Sequence, residues 1–388
     1  MRIIDPMLCS LPRLPACLAG AWLVLFVAGC GSSSAGPEYD DADASGEGEA
    51  AANSVLPDID AGLSLDTPGA GDAGTVSTDA DDHSTDAGGA DWGPIPPNAF
   101  TVVVLPDTQY YSSTYHDIFP AQTGWIVAQK SARNIAAVLH VGDLVDNAGD
   151  PAQWTVANSS MRAMDGLVPY VIVPGNHDTD DKRAGLIDNY FAPATMPWIG
   201  GTMTAGQIEN NYALVDIGPQ KWLVLGLEFG PRDAVLTWAD GVLKAHWTLP
   251  AIIVTHAYLY VDGTRYDYAT YGTTQSFIPQ VYNYTPKEGI NDGEQIWQKL
   301  IVPNSNVRLV FCGHDNGAAR LTSLRADGKP VHQMLSDYQW LDSLGGSGYL
   351  RVLEFDYGKK EIRVQTYSPY LDLFMTDDPN QFRLSLEL

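Results

Sequence analysis

The chain has 388 residues, 45% of them hydrophobic and 10% aromatic, enough to build a core. Its net charge of −25 is unevenly placed: residues 31–97 carry 15 Asp/Glu and no Lys or Arg, and residues 98–388 carry 31 acids against 20 bases. That balance argues against a basic nucleic-acid-binding face, so no stable nucleic-acid complex is expected; the lack of any long apolar run excludes a multi-span membrane protein, and a single cysteine beyond residue 30 (Cys312) excludes a disulfide scaffold.

Arg2 and Arg13 precede Leu14 to Gly29, an uncharged, mostly apolar run of 16 residues, shorter than the roughly 20 that span a bilayer. A basic start, a short apolar middle and small residues at its end predict a secretory signal. Val27-Ala28-Gly29-Cys30 resembles the lipobox of bacterial lipoproteins. The resemblance implies a signal peptide over 1–29, cleavage before Cys30, and a lipid on that cysteine that holds the protein to a membrane of the cell envelope. Gly31 at the next position points to the outer membrane. Residues 30–97 follow, rich in Gly, Ala, Ser and Asp and poor in bulky apolar residues. They bury too little to offset chain entropy, and their like charges repel, so a disordered, extended tether is predicted.

From residue 98 the pattern changes. Phe100 to Leu105 is predicted as a strand, Trp125 to Arg133 as helical, Ile135 to Val141 as a strand, and Pro151 to Met164 as a helix with Pro151 in its first turn. Strands are expected at Val168 to Val173, Trp222 to Leu227, Ala251 to Thr255 and Val307 to Phe311. Helices are expected at Asp233 to His246 and from an Asp292 cap to Ile301. Short strands close the chain at Leu321 to Leu324, Val331 to Leu335, Tyr349 to Phe355 and Glu361 to Thr366. This is an α/β arrangement whose C-terminal part is mostly β.

Five of the apolar runs end in polar clusters: Asp107-Thr108-Gln109, Gly142-Asp143-Leu144-Val145-Asp146-Asn147, Gly175-Asn176-His177-Asp178, Thr255-His256 and Gly313-His314-Asp315-Asn316. Ligands of open α/β sheets gather outside the carboxyl ends of strands, so the five clusters can share one cleft. Their carboxylates, amides and imidazoles suit Mn, Fe, Zn or Mg rather than a thiolate-rich structural zinc site.

In order and spacing these segments resemble the calcineurin-like metallophosphoesterases, whose blocks read D-x-H, G-D-x-x-D, G-N-H-[DE], an isolated His and G-H-x-H. The resemblance covers residues 98–388. It implies a four-layer α-β-β-α sandwich of two sheets and hydrolysis of phosphomono- or diesters by a hydroxide bridging two divalent metal ions. It further implies that Asp143 bridges the ions, that Asn176, His256 and His314 complete one site, and that Asp107, Gln109 and Asn316 complete the other. His177 would face the phosphate, oriented by Asp146.

Two positions depart from the family pattern, Gln109 and Asn316, where the blocks have His. Both fall on the same ion. Amide oxygens bind borderline metals less well than imidazole, so that site is expected to be weaker or to favour Mn or Mg. The other class of function is a surface-anchored binding protein that uses the fold without catalysis or with a single metal. Tyr110 and Arg265 are candidate substrate contacts. Tyr258, Tyr260, Tyr266, Tyr268 and Tyr271 offer either a stacking surface or loop packing. Glu228 is read as either near the metals or structural. His116, His140, His246 and His332 are expected to be structural, Cys312 buried, and Gly345 to Gly348 a tight turn.

Overall fold

The computed structural model describes residues 95–96, 98–284 and 289–388; the expected signal peptide, the Cys30 lipid site and nearly all of the expected tether lie outside them. Among the described residues the β-branched runs form two seven-stranded sheets. The first contains β1 (Ala99–Leu105), β2 (Ile135–His140), β3 (Tyr170–Ile172), β11 (Leu350–Asp356), β12 (Glu361–Ser368), β13 (Leu373–Met375) and β14 (Phe382–Ser385). Its order is β13-β12-β11-β1-β2-β3, with β14 also on β12. The second contains β4 (Ile199–Thr202), β5 (Asn211–Ile217), β6 (Gln220–Leu227), β7 (Ala251–Thr255), β8 (Val307–Cys312), β9 (Gly317–Leu324) and β10 (Pro330–Asp337), in the order β4-β5-β6-β7-β8-β10-β9. The strands β1, β2 and β3 are parallel, as are β6, β7, β8 and β10; β11 and β9 join antiparallel.

The helical segments are α1 (Gln109–Ser113), α2 (Ile118–Gln129), α3 (Pro151–Arg162), α4 (Ile187–Tyr190), α5 (Asp233–Ala245), α6 (Tyr268–Tyr271) and α7 (Gly293–Ile296). Strand periodicity then builds the layers. Val102 and Val104 point into a core between the sheets, shared with Leu139, Val171, Val224, Val254 and Phe311. Their neighbours Val103 and Leu105 face the other way and pack with Phe119, Trp154 and Met161 beneath α2 and α3. On the outer face of the second sheet, Leu225, Ile253 and Val310 meet Val235, Leu236 and Leu243 of α5. The result is the four-layer α-β-β-α sandwich.

Three differences from the sequence reading have local causes. β3 keeps only Tyr170–Ile172 of the expected Val168 to Val173, because Pro169 and Pro174 flank it and neither can donate to a ladder. The helix expected over Trp125 to Arg133 begins earlier, at Ile118, and ends at Gln129; Asn134 beyond it has φ 47°. β5 was not anticipated, although every second residue of Asn211–Ile217 is buried. Asp150 caps α3 through Ala152 N–H at 2.8 Å, and Asp292 with Gln295 forms a capping box at α7. No helix among the described residues is long and apolar enough to cross a membrane.

Candidate metal centre

The parallel strands of both sheets end on one edge, and the polar clusters stand there. Asp107 follows β1, Asp143 follows β2, Asn176 and His177 follow β3, His256 follows β7, and His314 follows β8. Carboxylate oxygens of Asp107 and Asp143 and a ring nitrogen of His256 all lie within 4.8 Å of one another, and all three residues are buried.

The second nitrogen of each imidazole decides what the first can do. Nδ1–H of His256 donates to the Val141 carbonyl at 2.9 Å, which turns Nε2 inward. Nε2–H of His314 donates to the Phe277 carbonyl at 2.7 Å, which turns Nδ1 inward. Carbonyl partners of this kind fix tautomer and ring angle in metal-ligating histidines. His256 Nε2 then lies 3.2 Å from His314 Nδ1, 3.1 Å from Asn176 Oδ1 and 3.2 Å from Asp143 Oδ2. Four acceptors thus converge with at most one proton on His256 to share. Asp143 holds His256 above its usual imidazole range against the opposing effect of burial, so a proton can sit there. Burial, then the charge of His256, pushes His314 down to about 3 and keeps it neutral. One proton cannot satisfy three acceptors, whereas a divalent cation can, so the residues fit a metal ion.

Backbone geometry makes room for this packing. An alanine methyl at Gly175 would stand 2.0 Å from Asp143 Oδ1, and one at Gly313 would stand 2.0 Å from Asp107 Oδ1. Asp143 and His314 themselves have φ 51° and 77°, conformations that non-glycine residues adopt at a cost of order 1–3 kcal/mol. Asp178, fully buried, holds the two loops together: it accepts Leu144 N–H at 3.2 Å, Val145 N–H at 3.0 Å and Gly175 N–H at 2.8 Å. The sequence alone suggested no task for Asp178. His140, expected to be structural, contacts Thr108 Oγ1 at 3.0 Å and accepts Gly142 N–H at 3.2 Å, so it braces two site loops.

His177 stands half-buried at the mouth. Its N–H donates to Asp143 Oδ1 at 2.9 Å, and its Nδ1–H donates to the main-chain carbonyl of Asp146 at 2.9 Å. The Asp146 carboxylate is farther, at 3.5 Å, so the orientation expected from its side chain comes chiefly from its backbone. Burial would lower the His177 pKa, but Asp143 and Asp146 more than offset it and raise it above 6.5.

The residue range 100–317 matches the family model described as calcineurin-like phosphoesterase. The chain belongs to the calcineurin-like phosphoesterase family. A curated relative, the uncharacterized protein YvnB of Bacillus subtilis, is 35% identical over 314 residues, which is 76% of this chain; the chain spans only 22% of that relative's length. Among solved structures, a purple acid phosphatase from yellow lupin aligns with TM-score 0.45 and 16% identity over 76% of this chain and 55% of that one. A dimetal phosphatase from Danio rerio aligns with TM-score 0.45 and 13% identity over 76% of this chain and all of that one.

Within this calcineurin-like phosphoesterase the remaining candidates separate. Gln109 is buried at the start of α1, and its Oε1 has no hydrogen-bond partner. Asn316 is half-buried between His314 and β9. Tyr110 lies at the rim, where its hydroxyl accepts the Trp340 indole N–H at 3.1 Å. Arg265 is a correction. Its guanidinium donates to Glu294 at 2.7 Å and to Ser323 and Gln333 at 2.9 Å, and it lies over the Trp297 ring, so it braces the outer face of the second sheet instead of meeting a phosphate. Tyr258 and Tyr266 are core residues with their hydroxyls bonded to Gln333 and the Ser276 carbonyl, which favours packing over a stacking platform. Glu228 is structural, held by Arg232 at 2.8 Å and Asn210 at 2.9 Å. Sequence reading missed the aromatic wall of Phe229, Tyr282 and Tyr284 that covers His256 and His314.

Proposed function

We propose that this domain hydrolyses phosphoesters with two divalent ions, Mn, Fe, Zn or Mg. In this reading Asn176, His256, His314 and Asp143 hold one ion, and Asp143, Asp107, Gln109 and Asn316 hold the other. The observation that carries it is the convergence of Nε2, Nδ1 and two side-chain oxygens at 3.1–3.2 Å, with both outer ring nitrogens bonded to carbonyls.

When bound, such ions acidify water and polarise phosphoryl oxygens. The chain's own part is positioning and proton transfer. With Nδ1–H fixed on the Asp146 carbonyl, the His177 ring presents Nε2 toward the opening. That nitrogen is the atom placed to hand a proton to the departing alkoxide. The backbone N–H of His177 holds one Asp143 oxygen at 2.9 Å, leaving the other for the metal position. Phe229, Tyr282 and Tyr284 keep bulk water from the imidazoles.

The test is hydrolysis of an aryl phosphate and a bis-aryl phosphate with each metal added in turn. Activity on one but not the other separates a monoesterase from a diesterase. His177→Ala is expected to lower kcat by about 10²–10⁴-fold while metal content stays at the wild-type level. A fully active His177→Ala would remove the proton-donor role, and a wild-type chain inert with every metal would favour the non-catalytic binding protein.

We also infer that a lipid on Cys30 tethers the domain to the outer membrane through residues 30–97. Val27 to Cys30 and the acidic composition of the tether support this. Detergent-phase partitioning of the full chain, lost in Cys30→Ala, tests it.

A further inference from the structure

A cavity of about 220 Å³ opens beside the candidate centre. Its walls come from three segments: the loop after β3 with Gly175, Lys182 and Arg183, the β4–β5 loop with Glu209, and the chain leaving β6 with Glu228 and Arg232. Gly175 immediately precedes Asn176, and the Phe229 ring that completes the wall packs on His256 and His314. Residues 98–388 carry 20 bases against 31 acids, yet three of those bases line this one cavity. Arg183 has φ 60° in a turn held by Asp180 Oδ1, which accepts Lys182 N–H and Ala184 N–H at 2.8 Å. Its guanidinium is fixed by the Phe229 and Gly230 carbonyls at 2.8 Å and 2.9 Å and lies over the Tyr284 ring. Arg232 gives Nε and Nη2 to Glu228 at 2.8 Å and 2.9 Å, and Glu228 also lies 3.3 Å from Arg183. One carboxylate thus orders two guanidiniums and cannot neutralise both. Among the described residues no hydrogen bond reaches Arg232 Nη1 or Lys182 Nζ. Burial, then the charges of Asp188 and Glu228, pushes the Glu209 carboxyl up to about 7, so it offsets the positive surplus only in part.

We propose that this cavity binds an oxyanion, the phosphate or carboxylate group of a small molecule, with Arg232 Nη1 and Lys182 Nζ as its donors and Arg183 as a fixed positive charge. Guanidinium and ammonium groups held in place with N–H to spare suit such a group. The volume lies below the roughly 300–1,000 Å³ of pockets for drug-sized ligands, so the cavity holds one small group. The assignment uses no candidate metal ligand and stands whether or not ions fill the neighbouring centre.

The experiment is calorimetric titration of the metal-free full chain at low salt with inorganic phosphate and, separately, with malonate. Wild type is expected to bind one anion. Arg232→Ala should weaken that binding more than about tenfold and Lys182→Ala about threefold to tenfold, while Glu209→Gln, which removes a negative charge and keeps the shape, should tighten it about threefold. Lys182 is exposed and takes no part in the Glu228 contacts, so its variant decides the matter where Arg232→Ala loses its fold. Uptake of phosphate but not malonate assigns a phosphate site, and the reverse assigns a carboxylate site. No uptake of either anion, or uptake unchanged by both Lys182→Ala and Glu209→Gln, overturns the proposal. A chain that binds the anion here but hydrolyses no phosphoester leaves the cavity standing and defeats the two-ion reading alone.

Discussion

The two halves of the candidate metal centre are built on different principles. The half around His256 and His314 is tightly preset: each imidazole is locked by a main-chain carbonyl at 2.9 Å or 2.7 Å and packed on Phe229, with Tyr282 also against His314. The half around Asp107 and Gln109 has no imidazole of its own and relies on oxygens, one of them orphaned. Preset nitrogen donors confer affinity on a borderline metal, whereas a cluster of oxygens confers charge without softness. The contrast teaches that the departures at Gln109 and Asn316 both fall on one half of the candidate centre, in the proposed reading, and leave the imidazole-bearing half as the family blocks have it.

Ligand removal should break the comparison most sharply. His256→Ala is expected to cost more than about 100-fold in affinity for the tighter ion and to abolish hydrolysis, whereas Gln109→Ala should cost about tenfold at the looser ion only. Equal losses in the two variants, measured by calorimetry, would erase the distinction. The glycines give a finer cut. Gly175→Ala drives a methyl into Asp143, which serves both halves, and Gly313→Ala drives one into Asp107, which serves one. Both ions should weaken in the first variant and only the looser ion in the second, as metal content would show.

The smallest effect is on pH. His256 has a raised pKa in the metal-free chain, so metal must displace its proton. Below that pKa, which lies above the usual 6.5, affinity for the tighter ion should fall by up to about tenfold per pH unit; above it, the dependence should vanish. Calorimetry in two buffers of different ionisation enthalpy would count the released proton. The looser half lacks an imidazole and should release none from a histidine.

Much of this was legible in the sequence because the chemistry lies at strand ends. Apolar runs stop abruptly at Asp107, Asp143, Asn176, His256 and His314, and parallel pairing takes those stops to one edge. Arg265 was misread because its partners Glu294, Ser323 and Gln333 are 29, 58 and 68 residues away, and a lone cation in a tyrosine-rich stretch carries no mark of them. The carbonyl of Asp146 could not be chosen over its carboxylate from sequence, since the choice depends on loop geometry.

Phe277 belongs to both the outside and the inside of the molecule. The residue is 42% exposed and its ring meets Trp340 edge-on at 5.8 Å, while its carbonyl accepts the His314 N–H. The peptide that decides which nitrogen of His314 is bare thus carries a side chain that solvent reaches. One residue thus joins the rim to the orientation of that imidazole.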